Sequence, residues 1–346
     1  MRIRSALLAI PLTCVLALLA ACGGTAPTGS GDNARTVTVY SADGLGPWYQ
    51  KRFAEFTQQT GITVTYIEAG SGEVVSRVDK ERPNPQADVL VTLPPFIQQA
   101  AGLGLLQPSG VDLTPVPAAD RDPGGLWTSL VGNYPVMIAH PASSPAPTTW
   151  QALLDPAFSG KLQYSTPGEA GDGTALLLQL QHVYGEAGAL DYLSRLQRSS
   201  VGPSSSTGKL QPKVAKGELL VANGDLQMNL QSILSDHADF QVFWPADDRG
   251  VRSTFSLPYA AGLAVGAPHA DNGRKLLQFL LSAPVQQTVS AQAYGVPVRA
   301  DVHPTDAVAA RIAQLMQGVE IWQPDWNSVA KNLDTQLDAY RKATNT

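Results

Sequence analysis

The chain has 346 residues, of which 44% are hydrophobic, with a formal net charge of −5 and only two cysteines. The acidic balance argues against binding to nucleic acids or to anionic lipid surfaces, because both recruit basic patches. The length exceeds that of one typical hydrophobic core and favours two lobes.

The first 22 residues carry the features of an export signal. Arg2 and Arg4 precede an apolar run over residues 6–19, and the segment ends in Ala20-Ala21-Cys22. Small residues before a cysteine predict a lipoprotein signal peptide (residues 1–21), with Cys22 as the lipidated N-terminus; ordinary export with an incidental Cys22 is the alternative. The run is too short for a membrane span. We therefore expect an exported protein, lipid-anchored to the cell membrane and facing the extracellular or periplasmic side.

Removal of the signal peptide would also change the charge and the thiols of the mature chain. It would leave 22 basic against 29 acidic residues, a net charge of −7, and it would remove Cys14. With Cys22 lipidated, no thiol would remain for a disulfide, a metal site or a nucleophile. Residues 22–35, which begin at this lipidated N-terminus, are small and polar and predict a flexible tether.

Apolar strands alternate with helical patterns from residue 36 onward. The predicted strands are residues 37–40, 62–67 and 88–92, and the predicted helices are residues 48–56, 73–80 and 95–102. This alternation is typical of a parallel sheet in an α/β lobe.

A second lobe is expected from residue 133. Its predicted elements are helices at 149–154, 173–184 and 190–196 and strands at 219–222 and 242–244. An apolar strand at 260–265 and helices at 272–281, 285–293, 307–317 and 329–343 follow. We expect one lobe to comprise residues 36–132 plus 266–346 and the other to comprise residues 133–265, including the connections between them.

Four polar loops follow predicted strands or open a predicted helix. In an open α/β sheet, such loops border the ligand cleft at the carboxyl ends of the strands. The candidate ligand-binding residues are Ser41, Ala42, Asp43, Ser71, Gly72, Glu73, Ser165, Thr166, Gly173, Thr174, Asn223 and Asp225. Glycines let a ligand approach the backbone, and hydroxyl groups can donate to anion oxygens. Each loop taken alone is equally well explained as an ordinary glycine-rich turn with a serine cap.

The same loops carry acidic residues and no lysine or arginine. The acids are Asp43, Glu68, Glu73, Glu169, Asp172 and Asp225. A plain dianion would normally recruit guanidinium or ammonium groups. Carboxylates beside donor-rich backbone instead suit a ligand with an anionic head and a cationic end. Helix capping is the alternative, and the favoured one for Glu73 and Asp172 individually.

The sequence shows no enzyme signature. Residues 202–210 resemble a phosphate-binding loop, but its glycines are one residue too far apart, and Leu210 replaces the magnesium-binding hydroxyl. A solvated loop is the favoured interpretation. The five histidines lie far apart, without metal-ligand spacing. We therefore expect no enzymatic activity, no cofactor and no metal site.

Five segments closely resemble the solute-binding proteins of bacterial ABC importers, a family that includes the ferric-iron and spermidine/putrescine binders. They are VYSADG, EAGSGEVVSRV, NPQADVLVTLPPFIQQA, TTWQALLDPAFSGKLQYSTPGEAGDGTA and LLQFLLSAPVQQTVSAQAYGVPVR. The resemblance covers residues 37–299 and is greatest to the 2-aminoethylphosphonate-binding subgroup.

The resemblance implies an α/β, two-lobed periplasmic-binding-protein fold, with a ligand cleft between lobes joined by two crossing strands near residues 130–139 and 259–265. It implies a monomer that delivers a small zwitterionic phosphonate to ABC permease subunits. Iron binders have a paired-tyrosine motif in the second lobe, whereas residues 223–227 contain no tyrosine, which disfavours ferric iron. A binder of ferric iron, a polyamine or a phosphate ester, and an exported phosphoesterase, are the alternatives.

Within such a site, Asp225 is the first candidate to bind the ligand's ammonium group. It stands where the iron binders place metal-site residues, although it could instead cap the following helix. Glu169 and Asp43 are the next candidates. The residues expected to meet the phosphonate are Ser41, Ser71, Gly72 and Thr174.

Overall fold

Two mixed β-sheets and a two-stranded parallel sheet, flanked by helices, form the framework of residues 35–346, the part of the chain that the computed structural model describes. The predicted signal peptide and Cys22 lie outside the described residues, as does the predicted tether apart from Arg35. Within the described range, no helix is long and apolar enough to cross a membrane.

The strands and helices follow the predicted alternation. The strands are β1 (Thr36–Ala42), β2 (Thr63–Ala69), β3 (Val89–Thr92), β4 (Leu106–Gln107), β5 (Trp127–Val131), β6 (Pro135–Ala139), β7 (Leu162–Gln163), β8 (Val221–Asp225), β9 (Gln241–Phe243), β10 (Arg252–Phe255), β11 (Tyr259–Ala264) and β12 (Val319–Trp322). The helices are α1 (Gly46–Thr60), α2 (Ser71–Lys80), α3 (Phe96–Gly102), α4 (Gly171–Ser199), α5 (Gln211–Ala215), α6 (Leu226–Leu234), α7 (Ala270–Leu280), α8 (Ala283–Gln286), α9 (Ala307–Leu315) and α10 (Trp326–Thr344).

The first sheet has the strand order β2-β1-β3-β11-β4, and β5 also pairs with β11. Strand β1 runs parallel to β2 and β3, which confirms the predicted parallel α/β arrangement. Val37 and Val39 of β1 are buried among α1 side chains such as Trp48 and Phe56. Helix α1 ends where predicted, because Gly61 adopts a left-handed conformation (φ 69°) that glycine tolerates without strain. The carboxyl ends of β1 and β2 consequently lie at one edge of the sheet.

The second sheet has the order β7-β8-β6-β9. Its core includes Val136 and Ile138 of β6 and Leu226 and Leu230 of α6. Helix α4 begins beside this sheet and has a non-helical residue at Gly185 (φ 72°), which accounts for the two separate helices predicted over this stretch.

The chain passes between the two sheets twice. The first passage lies inside a predicted crossing segment, and the second does not. Strand β5 ends in the first sheet and β6 begins the second, so the first passage is at residues 132–134, inside the predicted segment. The second predicted passage, residues 259–265, instead forms β11 between β3 and β4, because its backbone completes the first sheet. The return passage therefore precedes Tyr259. The backbone N–H of Leu257 donates to the carbonyl of Asn133 (2.9 Å), which joins the two passages.

Helices α9 and α10, which were predicted to belong to the first lobe, also contact the second sheet and its neighbours. Ile312 of α9 lies in the core of the second sheet, and α10 packs against both α3 and α4. The hydroxyl of Tyr340 on α10 lies 3.1 Å from that of Tyr164, just after β7. The division into lobes stays a prediction, and these contacts favour placing residues after about 307 with the second lobe.

Candidate functional site

The candidate site lies where the carboxyl edge of the first sheet meets the start of α4 and the end of β8. Gly72, in the first turn of α2, donates its backbone N–H to the carbonyl of Glu169 (3.2 Å). The hydroxyl of Ser206 donates to Oδ2 of Asp43 (2.9 Å). These bonds hold elements of the two sheets together, so the structure is a closed arrangement.

Three acidic side chains influence one another's charge in this region: Asp43 follows β1, Asp172 lies in the first turn of α4, and Asp225 ends β8. Asp172 and Asp225 are buried. Burial, and then the charge of Asp225, raise the pKa of Asp172 well above its ordinary value. Burial likewise raises the pKa of Asp225 to about 6. Burial also raises the pKa of Asp43, and the charge of Glu68 contributes in the same direction.

No cation neutralises these acids within residues 35–346. None of Asp43, Asp172 and Asp225 forms an ion pair with a described lysine, arginine or histidine. Oδ1 of Asp172 and Oδ2 of Asp225 are buried and accept no hydrogen bond from that part of the chain. Unpaired buried carboxylates are costly. The arrangement therefore suits a cationic group supplied from outside the protein.

Neutral hydroxyl groups surround the acids. The hydroxyl of Tyr259 lies within hydrogen-bonding distance of the carbonyl of Asp43 (3.0 Å) and of Oε1 of Gln227 (3.1 Å). The hydroxyl of Ser41 donates to the carbonyl of Ala42 (2.8 Å) and lies 3.3 Å from that of Tyr49. Burial raises the pKa of both tyrosines, which keeps them protonated as possible donors.

Asp225 occupies a different local structure from the one predicted. Strand β8 runs to Asp225 itself, so Asn223 and Gly224 belong to the strand and not to a loop after it. Oδ1 of Asp225 accepts the backbone N–H of Met228 (2.7 Å), so this residue caps α6. Asp225 therefore caps α6 through Oδ1, as the alternative prediction proposed, and its Oδ2 is left without a partner among the described residues.

Hydrogen bonds of the Asn223 side chain connect the start of α4 to β8. Its Oδ1 accepts the backbone N–H of Ser165 (2.8 Å), and its Nδ2 donates to the carbonyl of Asp172 (2.9 Å). Asn223 and Ser165 thus position Asp172 beside Asp225.

The predicted hydroxyl donors differ in their availability. The hydroxyl of Ser71 is buried and has no hydrogen-bond partner among the described residues. By contrast, Thr174 donates to the carbonyl of Ala170 (3.2 Å), and Thr166 donates to that of Ser204 (3.1 Å). Gly173 is packed so closely that a Cβ there would overlap backbone of the preceding loop. Ser71 is thus the hydroxyl most available to an anionic group.

The capping alternative for Asp172 and Glu73 agrees with their positions but not with their hydrogen bonds. Asp172 lies in the first turn of α4, but Ala170 is the N-cap and the side chain of Asp172 makes no capping hydrogen bond. Glu73 makes none either; its side chain, like that of Glu169, is exposed. Neither glutamate joins the buried acids.

Several residues of this region are not among the predicted site residues. Thr207 is buried, so the interpretation of residues 202–210 as a solvated loop is wrong at this position. Its hydroxyl donates to that of Ser165 (3.1 Å), whereas Ser206 bonds Asp43. The serine-rich composition of the segment was the available signal, since hydroxyl groups suit a polar site.

A groove of about 810 Å³ opens beside Asp43. Gly44, Glu68, Gly208 and Met228 also line this groove. A much smaller cavity, of about 20 Å³, adjoins Asp172. Within residues 35–346, no three histidine, cysteine or acidic side chains are placed to hold a metal ion.

Comparisons with known proteins agree with this architecture. Residues 37–296 match the family model described as bacterial extracellular solute-binding protein. A Salmonella typhimurium protein named "Putative 2-aminoethylphosphonate-binding periplasmic protein" is 49% identical over 314 residues, which are 89% of this chain and 92% of that protein. Iron uptake protein A1 of Synechocystis is 27% identical over 277 residues, covering 75% of this chain and 74% of that one.

Solved structures show the same fold. The periplasmic binding protein AfuA of Actinobacillus pleuropneumoniae, with fructose-6-phosphate bound, aligns with a TM-score of 0.78 at 20% identity, covering 90% of this chain and 99% of that one. Apo ferric ion-binding protein A of Pasteurella haemolytica aligns with a TM-score of 0.70 at 19% identity, covering 89% and 98%. The predicted periplasmic-binding-protein fold is thus confirmed. With its family model matched over most of its length, the chain belongs to the bacterial extracellular solute-binding proteins.

Proposed function

We propose that this protein is the receptor of an ABC importer that binds 2-aminoethylphosphonate and delivers it to the permease. The observation that carries the proposal is the pair of buried carboxylates, Asp172 and Asp225, without a cation among the described residues. The 49% identical Salmonella protein, named for the same ligand, supports it.

The chemistry of the site favours a zwitterion over the alternatives. A sugar phosphate or another plain anion would bring further negative charge to uncompensated acids, which raises its electrostatic free energy. A polyamine would match the acids but leave the unpaired hydroxyl of Ser71 without an acceptor. An aminophosphonate satisfies both, because its ammonium group can meet Asp225 while its oxygens accept from Ser71.

Calorimetry of the chain beginning at residue 22 tests this assignment. We expect 2-aminoethylphosphonate to bind with a dissociation constant near micromolar or tighter, about −8 kcal/mol. Ethylphosphonate, putrescine, ferric citrate and fructose-6-phosphate should bind much more weakly, and phosphoesters should not be hydrolysed. Tighter binding of any of those four ligands, or turnover of a phosphoester, would contradict the proposal.

We also propose that the mature protein is held at the membrane by lipid on Cys22, as the signal-like sequence before it indicates. Expressed from its full sequence in a bacterial host, the protein should sediment with membranes, and mass spectrometry should find the lipid on Cys22. Cys22→Ser should abolish the lipid and the sedimentation. A mature N-terminus other than Cys22 in the unaltered protein would refute the anchor without affecting the ligand assignment.

A further inference from the structure

Asp172 and Asp225 approach each other from different elements, the first turn of α4 and the end of β8. Asn223, two residues before Asp225 on β8, donates its Nδ2 to the carbonyl of Asp172 (2.9 Å), which holds the two acids near each other. Burial, and then the charge of Asp225, raises the pKa of Asp172. Two ionised carboxylates can only accept hydrogen bonds, so neither could satisfy the other. Oδ1 of Asp172 and Oδ2 of Asp225 are buried and have no hydrogen-bond donor among the described residues, and a proton retained on the pair would supply a donor that two ionised carboxylates lack.

We propose that Asp172 is a second carboxylate of the ammonium site, and that the ligand's ammonium group replaces a proton that Asp172 and Asp225 share. This inference rests on the proposed function for its ligand. The proton leaves to solvent as the ammonium arrives, so one positive charge enters the site for each one that departs. The charge of the buried cluster is therefore the same before and after binding.

The groups that face the pair make a shared proton the favoured state. Asp43 approaches from the end of β1, and its charge raises the pKa of both Asp172 and Asp225. Tyr259 faces the pair from β11, and Thr207 from the segment before α5. Among these neighbours there is a third acid and no cation. Buried acids that raise one another's pKa are not all ionised at once, so we expect the pair to retain a proton.

Burial strengthens the same conclusion. Burial is the largest cause of the raised pKa of Asp172, and it raises that of Asp225 to about 6. Because these carboxyl pKa values are raised in the closed, ligand-free form, that form is favoured at low pH, where the carboxyl groups are protonated. It loses this stability as the pH rises through the raised pKa. At neutral pH we expect the pair to retain one proton between its two carboxyl groups. A ligand without an ammonium group offers no replacement and should leave the proton in place.

Calorimetry at pH 7 in two buffers of different ionisation enthalpy measures the proton exchange directly. For 2-aminoethylphosphonate and the unaltered protein, the difference in observed enthalpy should correspond to release of about one proton. Asp172→Asn should bind the ligand about ten- to a hundredfold more weakly and should lose that release. The phosphonate group can itself exchange protons when it binds to either protein. The difference in proton release between the two proteins therefore measures the contribution of the acids.

Asp191→Asn is the matched control, because Asp191 lies on the same helix with its side chain mostly exposed. It should keep both the affinity and the proton release. Equal release by the unaltered protein and Asp172→Asn, or unchanged affinity in Asp172→Asn, would overturn the inference.

Infrared absorption of the ligand-free protein gives a test that needs no ligand. At neutral pH the unaltered protein should show a protonated carboxylic acid band that is lost in Asp172→Asn and kept in Asp191→Asn. If Asp172→Asn fails to fold, Asp225→Asn should shift the same band, because the proton then has an amide as its partner. Absence of the band in the unaltered protein would overturn the shared proton. If the band is present but 2-aminoethylphosphonate does not bind, the proposed function fails and the shared proton stands.

Discussion

Asp225→Asn should weaken binding of 2-aminoethylphosphonate about ten- to a hundredfold and affect ethylphosphonate, which lacks the amine, much less. The physical reason is the loss of a charge-assisted hydrogen bond shielded from water, worth roughly 1.5–3 kcal/mol. Asparagine is also a good N-cap residue, so its oxygen can still accept the backbone N–H of Met228. The substitution therefore removes the charge and keeps the cap, and calorimetry with the two ligands measures the difference.

The melting temperature separates this role from a structural one. If Asp225 served only as the cap of α6, both ligands would lose affinity equally and the melting temperature would fall. Equal losses for both ligands would show that Asp225 is not the ammonium partner. Asp43 and Asp172 would then be the candidates, because Glu169, also considered from the sequence, has an exposed side chain.

Gly72→Ala should prevent full closure of the two halves around the ligand. A Cβ at Gly72 would overlap the carbonyl oxygen of Gly168, in the loop that leads to α4. Displacing this backbone contact should cost about 1–3 kcal/mol, as overpacking does elsewhere, and weaken binding roughly five- to 150-fold. In small-angle scattering, saturating ligand should reduce the radius of gyration of the unaltered protein, as hinge closure requires, and reduce that of Gly72→Ala less.

Gly102→Ala is the control for a glycine in a helix of the same lobe, since no atom lies within 4 Å of a Cβ built there. It should bind and contract like the unaltered protein. A radius of gyration that does not change when the unaltered protein is saturated would count against closure altogether. Normal affinity in Gly72→Ala would show that the bound form does not need the close approach to Gly168.

The α/β rhythm of the first lobe could be predicted because local sequence and tertiary structure agree there. The β-branched run at Val37 and Val39 is buried on the sheet, and Gly61 stops α1 as its backbone freedom suggests. The end of β8 could not be predicted in the same way. Asn223-Gly224-Asp225 has the composition of a turn, yet it pairs with residues 135–137 of β6. Tertiary pairing overrode the local preference.

The candidate site was predictable in its charge and less so in its geometry. The lack of lysine and arginine in the polar loops indicated a cationic ligand group. In the structure, Asp172 and Asp225 are buried and form no ion pair with a described residue, in agreement with that prediction. The role of Asp172 could not be seen, because an acid in the first turn of a helix usually has a simple electrostatic explanation. The burial of Thr207 was equally hidden, since its segment is bounded by glycine and proline and looks like a surface loop.

The position of β11 in the first sheet bears on the order in which the protein can fold. This strand, Tyr259–Ala264, fills the place between β3 and β4, whose residues are made far earlier. During synthesis, β3 keeps an open edge until residue 264 has emerged, so the first lobe cannot be completed from its N-terminal part alone. Such long-range pairing slows folding. We therefore expect the first sheet to be completed only after most of the chain has been synthesised.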